Sequence, residues 1–181
     1  SKMQVAKKYV ANWNEMKKNG LGLLLWGSVG SGKSYMAACV ANELIKQGAD
    51  VKMTNFATVL NDLFNCEDKN EYIRSLCRYS LLILDDLGIE RNTEYSLENL
   101  FNVIDARYVS GKAMIITTNL NLEELKNQKQ LSLKRIYDRV LERCIPVCVS
   151  ENDFRKDNRV EAKVKFGKII NGGKMDEEKY E

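Results

Sequence analysis

The chain has 181 residues, enough for one α/β domain with its core and short of two. Its net charge is +3 and its charged and apolar fractions are ordinary for a globular protein, so charge by itself points to no nucleic-acid partner. The absence of histidine excludes imidazole acid–base catalysis and His-ligated metals and leaves carboxylates and phosphate-binding cations as the chemical tools. Val5, Tyr9, Trp13 and Met16 recur at helical spacing and predict one helix over 4–18, ended by Asn19-Gly20. Residues 21–26 are a short apolar run before glycines and predict a buried strand. Over 34–47, Met36, Ala37, Val40, Ala41, Leu44 and Ile45 form one apolar helical face, closed by Gly48. A second short strand follows at 50–54. Phe56, Val59, Leu60, Leu63 and Phe64 line a face of the next helix. A polar stretch at 65–70 leads to a short helix at 71–79. The third strand, 81–84, ends in Asp85-Asp86. Leu97, Leu100, Phe101, Ile104 and Tyr108 predict a helix over 94–110 with Gly111 as its stop. The fourth strand, 113–118, is followed by a helix over 132–143 and a fifth strand at 145–149. Pro146 lacks an N–H, so that last strand belongs at a sheet edge.

Strands alternating with helices predict a parallel sheet covered on both faces, joined by right-handed crossovers. No internal repeat is present. The segment 174–181 is densely charged and almost without core residues, and reads as a mobile tail. Cys39, Cys66, Cys77, Cys144 and Cys148 fit no zinc ribbon or CxxC pair, and no second pair completes a site with Cys144 and Cys148. They read as ordinary intracellular thiols, mostly buried. Nothing resembles a signal peptide or approaches the ~20 apolar residues of a membrane span, so the expected compartment is the cytoplasm. The opening Ser1-Lys2-Met3 reads as an internal boundary, with an N-terminal region expected to be missing.

Gly27-Ser28-Val29-Gly30-Ser31-Gly32-Lys33-Ser34 fits GxxxxGK[ST] in full, with a strand before it and a helix after. Glycines let the backbone curl until several N–H groups converge on one anion, and the helix N-terminus adds a partial positive charge. Residues 27–34, with Tyr35 after them, are the expected nucleotide-binding set. Lys33 is expected on the β- and γ-phosphates and Ser34 on Mg²⁺. The run Leu81-Leu82-Ile83-Leu84-Asp85-Asp86 delivers two acids at the carboxyl end of a strand, where open α/β sheets bind ligands. Asp85 is expected to hold the Mg²⁺, directly or through water, and Asp86 to orient and deprotonate the attacking water. Solvated turn acids are the bland alternative.

Thr117-Thr118-Asn119 is a polar strand ending. If this strand lies between the first and third, Asn119 reaches the γ-phosphate or the water. Equally, Asn119 or Asn121 starts the next helix as its N-cap, and the two roles are compatible. Arg135, Arg139 and Arg143 recur every four residues on one helical face. They are either a salt-bridged surface or a cationic face for an anion on a neighbouring molecule, as in an arginine finger supplied in trans.

Taken together, 27–34, the string Leu82-Ile83-Leu84-Asp85-Asp86-Leu87-Gly88, Thr117-Thr118-Asn119-Leu120, Arg135-Ile136-Tyr137-Asp138-Arg139 and Asp153-Phe154-Arg155 resemble the AAA+ ATPases. The branch they resemble is the DnaC/DnaI-type helicase loaders and the related IstB transposition ATPases, over nearly all of 4–160. The phosphate loop is common to many NTPases; the Asp-Asp-Leu-Gly string and the spacing to the later arginines are more specific. The resemblance implies a three-layer αβα P-loop NTPase sandwich whose five-stranded parallel sheet runs 5-1-4-3-2, with the helical lid reduced or absent. It implies an ATPase domain over 1–165, a charged tail over 166–181, and a partner-binding N-terminal domain outside this chain. It makes Asn119 the sensor-1 residue, Arg139 the arginine finger, and Arg155 a sensor-2-like residue near the nucleotide. It assigns 56–80 to the initiator-specific helices, which in this family help form a spiral around single-stranded DNA.

The leading expectation is therefore a loader of the replicative DNA helicase, with ATP and Mg²⁺ as cofactors and single-stranded DNA, the helicase and further copies of the chain as partners. Hydrolysis by an isolated copy is expected to be slow. The alternative is an IstB-like transposition ATPase acting on double-stranded DNA. A small-molecule kinase and a non-hydrolysing scaffold are two further readings; release of free phosphate without an added acceptor favours an ATPase over the kinase, and equal, near-zero turnover of wild type and Asp86→Asn would support the scaffold. Lys52, Lys69, Arg74, Arg78 and Lys112 are candidate DNA-backbone contacts. No aromatic stacking platform is evident in the sequence, so DNA binding is expected to be electrostatic and salt-sensitive.

Overall fold

The computed structural model describes residues 2–88 and 93–149. Arg155, the end of the 1–165 domain and the 166–181 tail lie outside the described residues. In chain order the elements are α1 (Lys2–Ala11), α2 (Trp13–Asn19), β1 (Gly22–Trp26), α3 (Lys33–Lys46), β2 (Val51–Asn55), α4 (Phe56–Asn65), α5 (Lys69–Leu76), β3 (Leu81–Leu87), α6 (Glu94–Val109), β4 (Ala113–Thr118), α7 (Leu122–Lys126), α8 (Leu131–Arg143) and β5 (Cys144–Cys148).

The strands form one parallel sheet of order β2-β3-β4-β1-β5, the 5-1-4-3-2 order read from the other edge. Alternation along the strands divides the core into two layers. Leu24, Leu82, Leu84, Met114 and Ile116 face α4 to α8. Leu23, Leu25, Leu81, Ile83, Ala113 and Ile115 face α1, α2 and α3. β5 is the edge strand, with Pro146 opposite Leu24, so the missing N–H costs no ladder bond.

Four expectations are corrected. The first helix is broken at Asn12, whose side-chain amide donates back to the Lys8 carbonyl (2.8 Å) and whose backbone leaves the helical region. The break turns Trp13 into the core, where it meets Tyr9 with ring centroids 6.0 Å apart. β3 does not end at Leu84 but continues through both acids to Leu87, which is itself buried. Ile45 and Phe64 lie outside the apolar stripes of their helices and are exposed, Phe64 by 76%. Of the cysteines only Cys144 is buried; the other four are half-buried. Among the described residues no helix is long and apolar enough to cross a membrane.

Candidate functional site

The loop after β1 turns back on itself at Gly30 and Gly32, both in the left-handed region (φ 84° and 92°), where a side chain would be strained. Gly32 is the N-cap of α3, so the loop delivers its N–H groups and the helix N-terminus to one point. Lys33 is the first residue of α3 and only 5% exposed. Its ammonium donates to the carbonyls of Gly27 (3.0 Å) and Ser28 (2.8 Å) and to Asn119 Oδ1 (2.7 Å). The cation is thus held beneath the loop, with the fourth strand's polar ending pulled against it. A cleft of about 300 Å³ opens here. It is lined by Val29, Gly30, Gly32, Lys33, Ser34, Tyr35, Asp86 and Asn119.

Asp86 and Asn119 reach this lining from the ends of β3 and β4. Leu84 pairs with Ile116 and Leu87 with Thr118, so Asp85 and Asp86 stand together opposite Thr117 alone. This is a β-bulge, which re-aims side chains at the end of a strand. Asp86 is the one non-glycine residue with positive φ among the described residues (57°). Its N–H donates to Thr117 Oγ1 (2.8 Å), and that hydroxyl donates to Asp85 Oδ1 (2.6 Å). Strain of this kind persists where surrounding contacts over-determine it, and it concentrates at functional sites.

Of the residues singled out in sequence, Val29, Gly30, Gly32, Lys33, Ser34, Tyr35, Asp86 and Asn119 line one cleft; Gly27 and Ser28 accept from Lys33, and Asp85 is tied to Thr117 beside Asp86. The choice between Asn119 and Asn121 as the helix cap falls on Asn121, which forms a reciprocal capping box with Glu124 at the start of α7. Asn119 is left to the cleft. Arg139 is not among the cleft residues. It lies on α8 against α6, with Nε 2.7 Å from Asp105 Oδ1 in an ion pair poorly aligned for a hydrogen bond. Its guanidinium sits over the Phe101 and Tyr108 rings at 4.6 and 5.7 Å. Arg135 stacks on Phe101 and Arg143 on Tyr108. The arginine face is therefore stacked on aromatic rings of the same chain.

Sequence reasoning named Thr117 in a polar strand ending but gave it no role of its own; in the structure its hydroxyl is buried at the end of β4. An aromatic pair was missed. Phe64 of α4 meets Tyr95 of α6 edge-on at 6.4 Å, with Lys69 Nζ 4.9 Å from the Tyr95 ring centre. Several candidate DNA contacts have partners within the chain: Arg74 and Arg78 pair with Glu71 at 3.2 and 2.6 Å, and Lys112 donates to the Arg78 carbonyl.

The residues fit a nucleoside polyphosphate. The loop's glycines curl its backbone, and the Ser31 hydroxyl is buried with no hydrogen-bond partner among the described residues, a donor that an anion would satisfy. Among the described residues no three His, Cys, Asp or Glu side chains gather as a metal site. A divalent cation therefore fits only with phosphate oxygens completing its shell.

Comparison with known proteins agrees with this geometry. The sequence profile of IstB-like ATP binding proteins matches residues 2–162. The chain is 35% identical over 118 residues to the protein YdaV of Escherichia coli K12, covering 63% of this chain and 46% of YdaV. It is 27% identical over 140 residues to the replicative helicase loader DnaC of the same organism, covering 75% of this chain and 55% of DnaC. It thus spans about half the length of these relatives. The crystal structure of DnaI superposes with a TM-score of 0.69 at 25% identity, covering 83% of this chain and 80% of DnaI. The sheet order and helical layers are those of the AAA+ P-loop NTPase core.

Proposed function

The chain belongs to the IstB-like ATP-binding family, and from that premise we propose that it is an ATPase of DNA replication that helps load the replicative helicase onto single-stranded DNA. The observation that carries the catalytic half is the buried Lys33 ammonium, held by the Gly27 and Ser28 carbonyls and by Asn119 in a cleft that Asp86 also lines. Such an arrangement presents a cation and converging N–H groups to a triphosphate and a carboxylate to an attacking water. Ser34 and Asp85 are the residues we assign to hold Mg²⁺, which when bound neutralises the phosphate oxygens. Asp86 accepts the proton of the water that attacks the γ-phosphorus; the bond to the β–γ bridging oxygen breaks, and ADP leaves with that electron pair. Asn119 orients the water or the γ-phosphate. The adjacent acids Asp85 and Asp86, with Asn119 beside Asp86 in the cleft lining, favour water over a metabolite hydroxyl as the acceptor.

Arg139 is the residue we assign to reach ATP bound by a neighbouring copy, which requires it to exchange Asp105 for that phosphate. Self-association on DNA and a cytoplasmic location follow from this reading. The relatives named as helicase loaders support the replication role. The family match supports a second reading, a transposition ATPase acting on double-stranded DNA.

One set of titrations tests both levels. Wild-type chain is expected to bind ATP and release free phosphate without any acceptor, and Lys33→Ala to lose nucleotide affinity. With ATP, single-stranded DNA and the host's replicative helicase are expected to be retained in a pull-down, both weakening as salt rises. Unchanged affinity in Lys33→Ala would sink the phosphate-loop assignment. Preference for duplex DNA and no helicase would transfer the chain to the transposition reading.

A further inference from the structure

We propose that Thr117 is a positioning residue that sets both acids of the site through one hydroxyl. This rests on the reading of Asp85 as ion-holding and Asp86 as water-orienting. Thr117 is fully buried in β4, and the bulge sets it alone against Asp85 and Asp86. A backbone N–H can only donate, so the 2.8 Å contact from Asp86 fixes Thr117 Oγ1 as acceptor there. The hydroxyl's single hydrogen is then committed to Asp85 Oδ1 at 2.6 Å. One atom thereby orients the carboxylate of the first acid and anchors the backbone of the second, whose left-handed conformation (φ 57°) points its side chain into the cleft. At a bulge the ladder's own backbone bonds are interrupted, and Thr117 supplies by side chain the tie that the backbone cannot. Thr118, next in the strand, repeats the device by donating to the Leu87 carbonyl at 2.7 Å, which closes the bulge from its far side. Serine keeps the hydroxyl; valine keeps the branched shape and volume without it.

The test compares the intact chain with Thr117→Val, Thr117→Ser and Asp85→Asn. Affinity for a fluorescent ATP analogue without divalent ion is expected to match wild type in Thr117→Val. The Mg²⁺ concentration that half-saturates tight analogue binding should rise about tenfold and phosphate release should fall about tenfold or more, the effect of one lost charge-assisted hydrogen bond. Thr117→Ser should restore both. An unshifted Mg²⁺ midpoint in Asp85→Asn would overturn the ion-holding reading and this inference with it. A shift in Asp85→Asn with none in Thr117→Val, or no rescue by serine, would overturn the inference alone. Amide hydrogen exchange on the wild-type chain decides the matter should Thr117→Val not fold: the Asp86 N–H is expected to be protected, and rapid exchange there counts against the proposal.

Discussion

At the scale of single residues the site depends on groups held where they are costly. Asp86 keeps a left-handed backbone that an L side chain populates at a cost of roughly 1–2 kcal/mol, less for Asp and Asn. Asn is therefore the substitution that separates chemistry from strain. Asp86→Asn is expected to leave thermal stability within about 0.5 kcal/mol of wild type, and, on the proposed role of Asp86 as proton acceptor, to lower phosphate release at least about a hundredfold. Asp86→Ala should lose turnover equally and cost about 1 kcal/mol in stability as well, read by melting the two variants side by side. Equal stability of the two would mean that the positive φ is not borne by the chain in solution. The kinds of residue needed here were readable in sequence, because the loop and the paired acids are contiguous. The bulge was not, since it exists only in the pairing of Leu84 and Leu87 with Ile116 and Thr118.

At the scale of elements the least expected feature is Arg107. It is fully buried in α6 and donates to the carbonyls of Leu76, Tyr79, Ser80 and Ala113. These oxygens belong to the end of α5, the entry to β3 and the start of β4, so one guanidinium joins three elements. Burial pushes its pKa down, to about 10, still far enough above neutrality for the group to stay charged. Arg107→Met fills the volume but orphans those carbonyls, and is expected to destabilise the chain by about 3 kcal/mol, measured as a lowered urea midpoint. Gly22 shows a constraint of the same kind. A Cβ there would fall 1.6 Å from the Met114 carbonyl oxygen, so β1 and β4 approach closely only because that side chain is missing. Neither feature leaves a periodic trace: in sequence Arg107 is a charge on an otherwise apolar helix face, and Gly22 a small residue in a strand.

For the whole molecule the central prediction concerns the proposed contact between copies. Arg139 packs on α6 through Asp105, Phe101 and Tyr108, half-exposed contacts that together stabilise the single chain by up to about 1 kcal/mol. Arg139→Ala is thus expected to lower monomer stability slightly, to retain ATP affinity, and to lower turnover of the assembled state by about a thousandfold. Mixing it with Lys33→Ala decides whether the residue acts in trans. Each variant alone should be inactive, and a mixture should recover phosphate release at interfaces that join an intact phosphate loop to an intact Arg139. No recovery on mixing would make Arg139 a residue of its own subunit's site.

The linear order of residues by itself determined the glycine-rich loop between a strand and a helix, the strand that carries two adjacent acids, the alternation that makes a covered parallel sheet, and the edge position of the strand with Pro146. Each is a local pattern, in which spacing along the chain is also spacing in space. Tertiary structure alone decided that Thr117 serves both acids, that Asn121 rather than Asn119 caps a helix, that Arg107 ties three elements, and that Phe64 meets Tyr95. The Thr117 and Arg107 contacts with β3 and α5 join residues about thirty positions apart. Their partners are fixed by strand register and helix packing, which no run of neighbouring residues encodes.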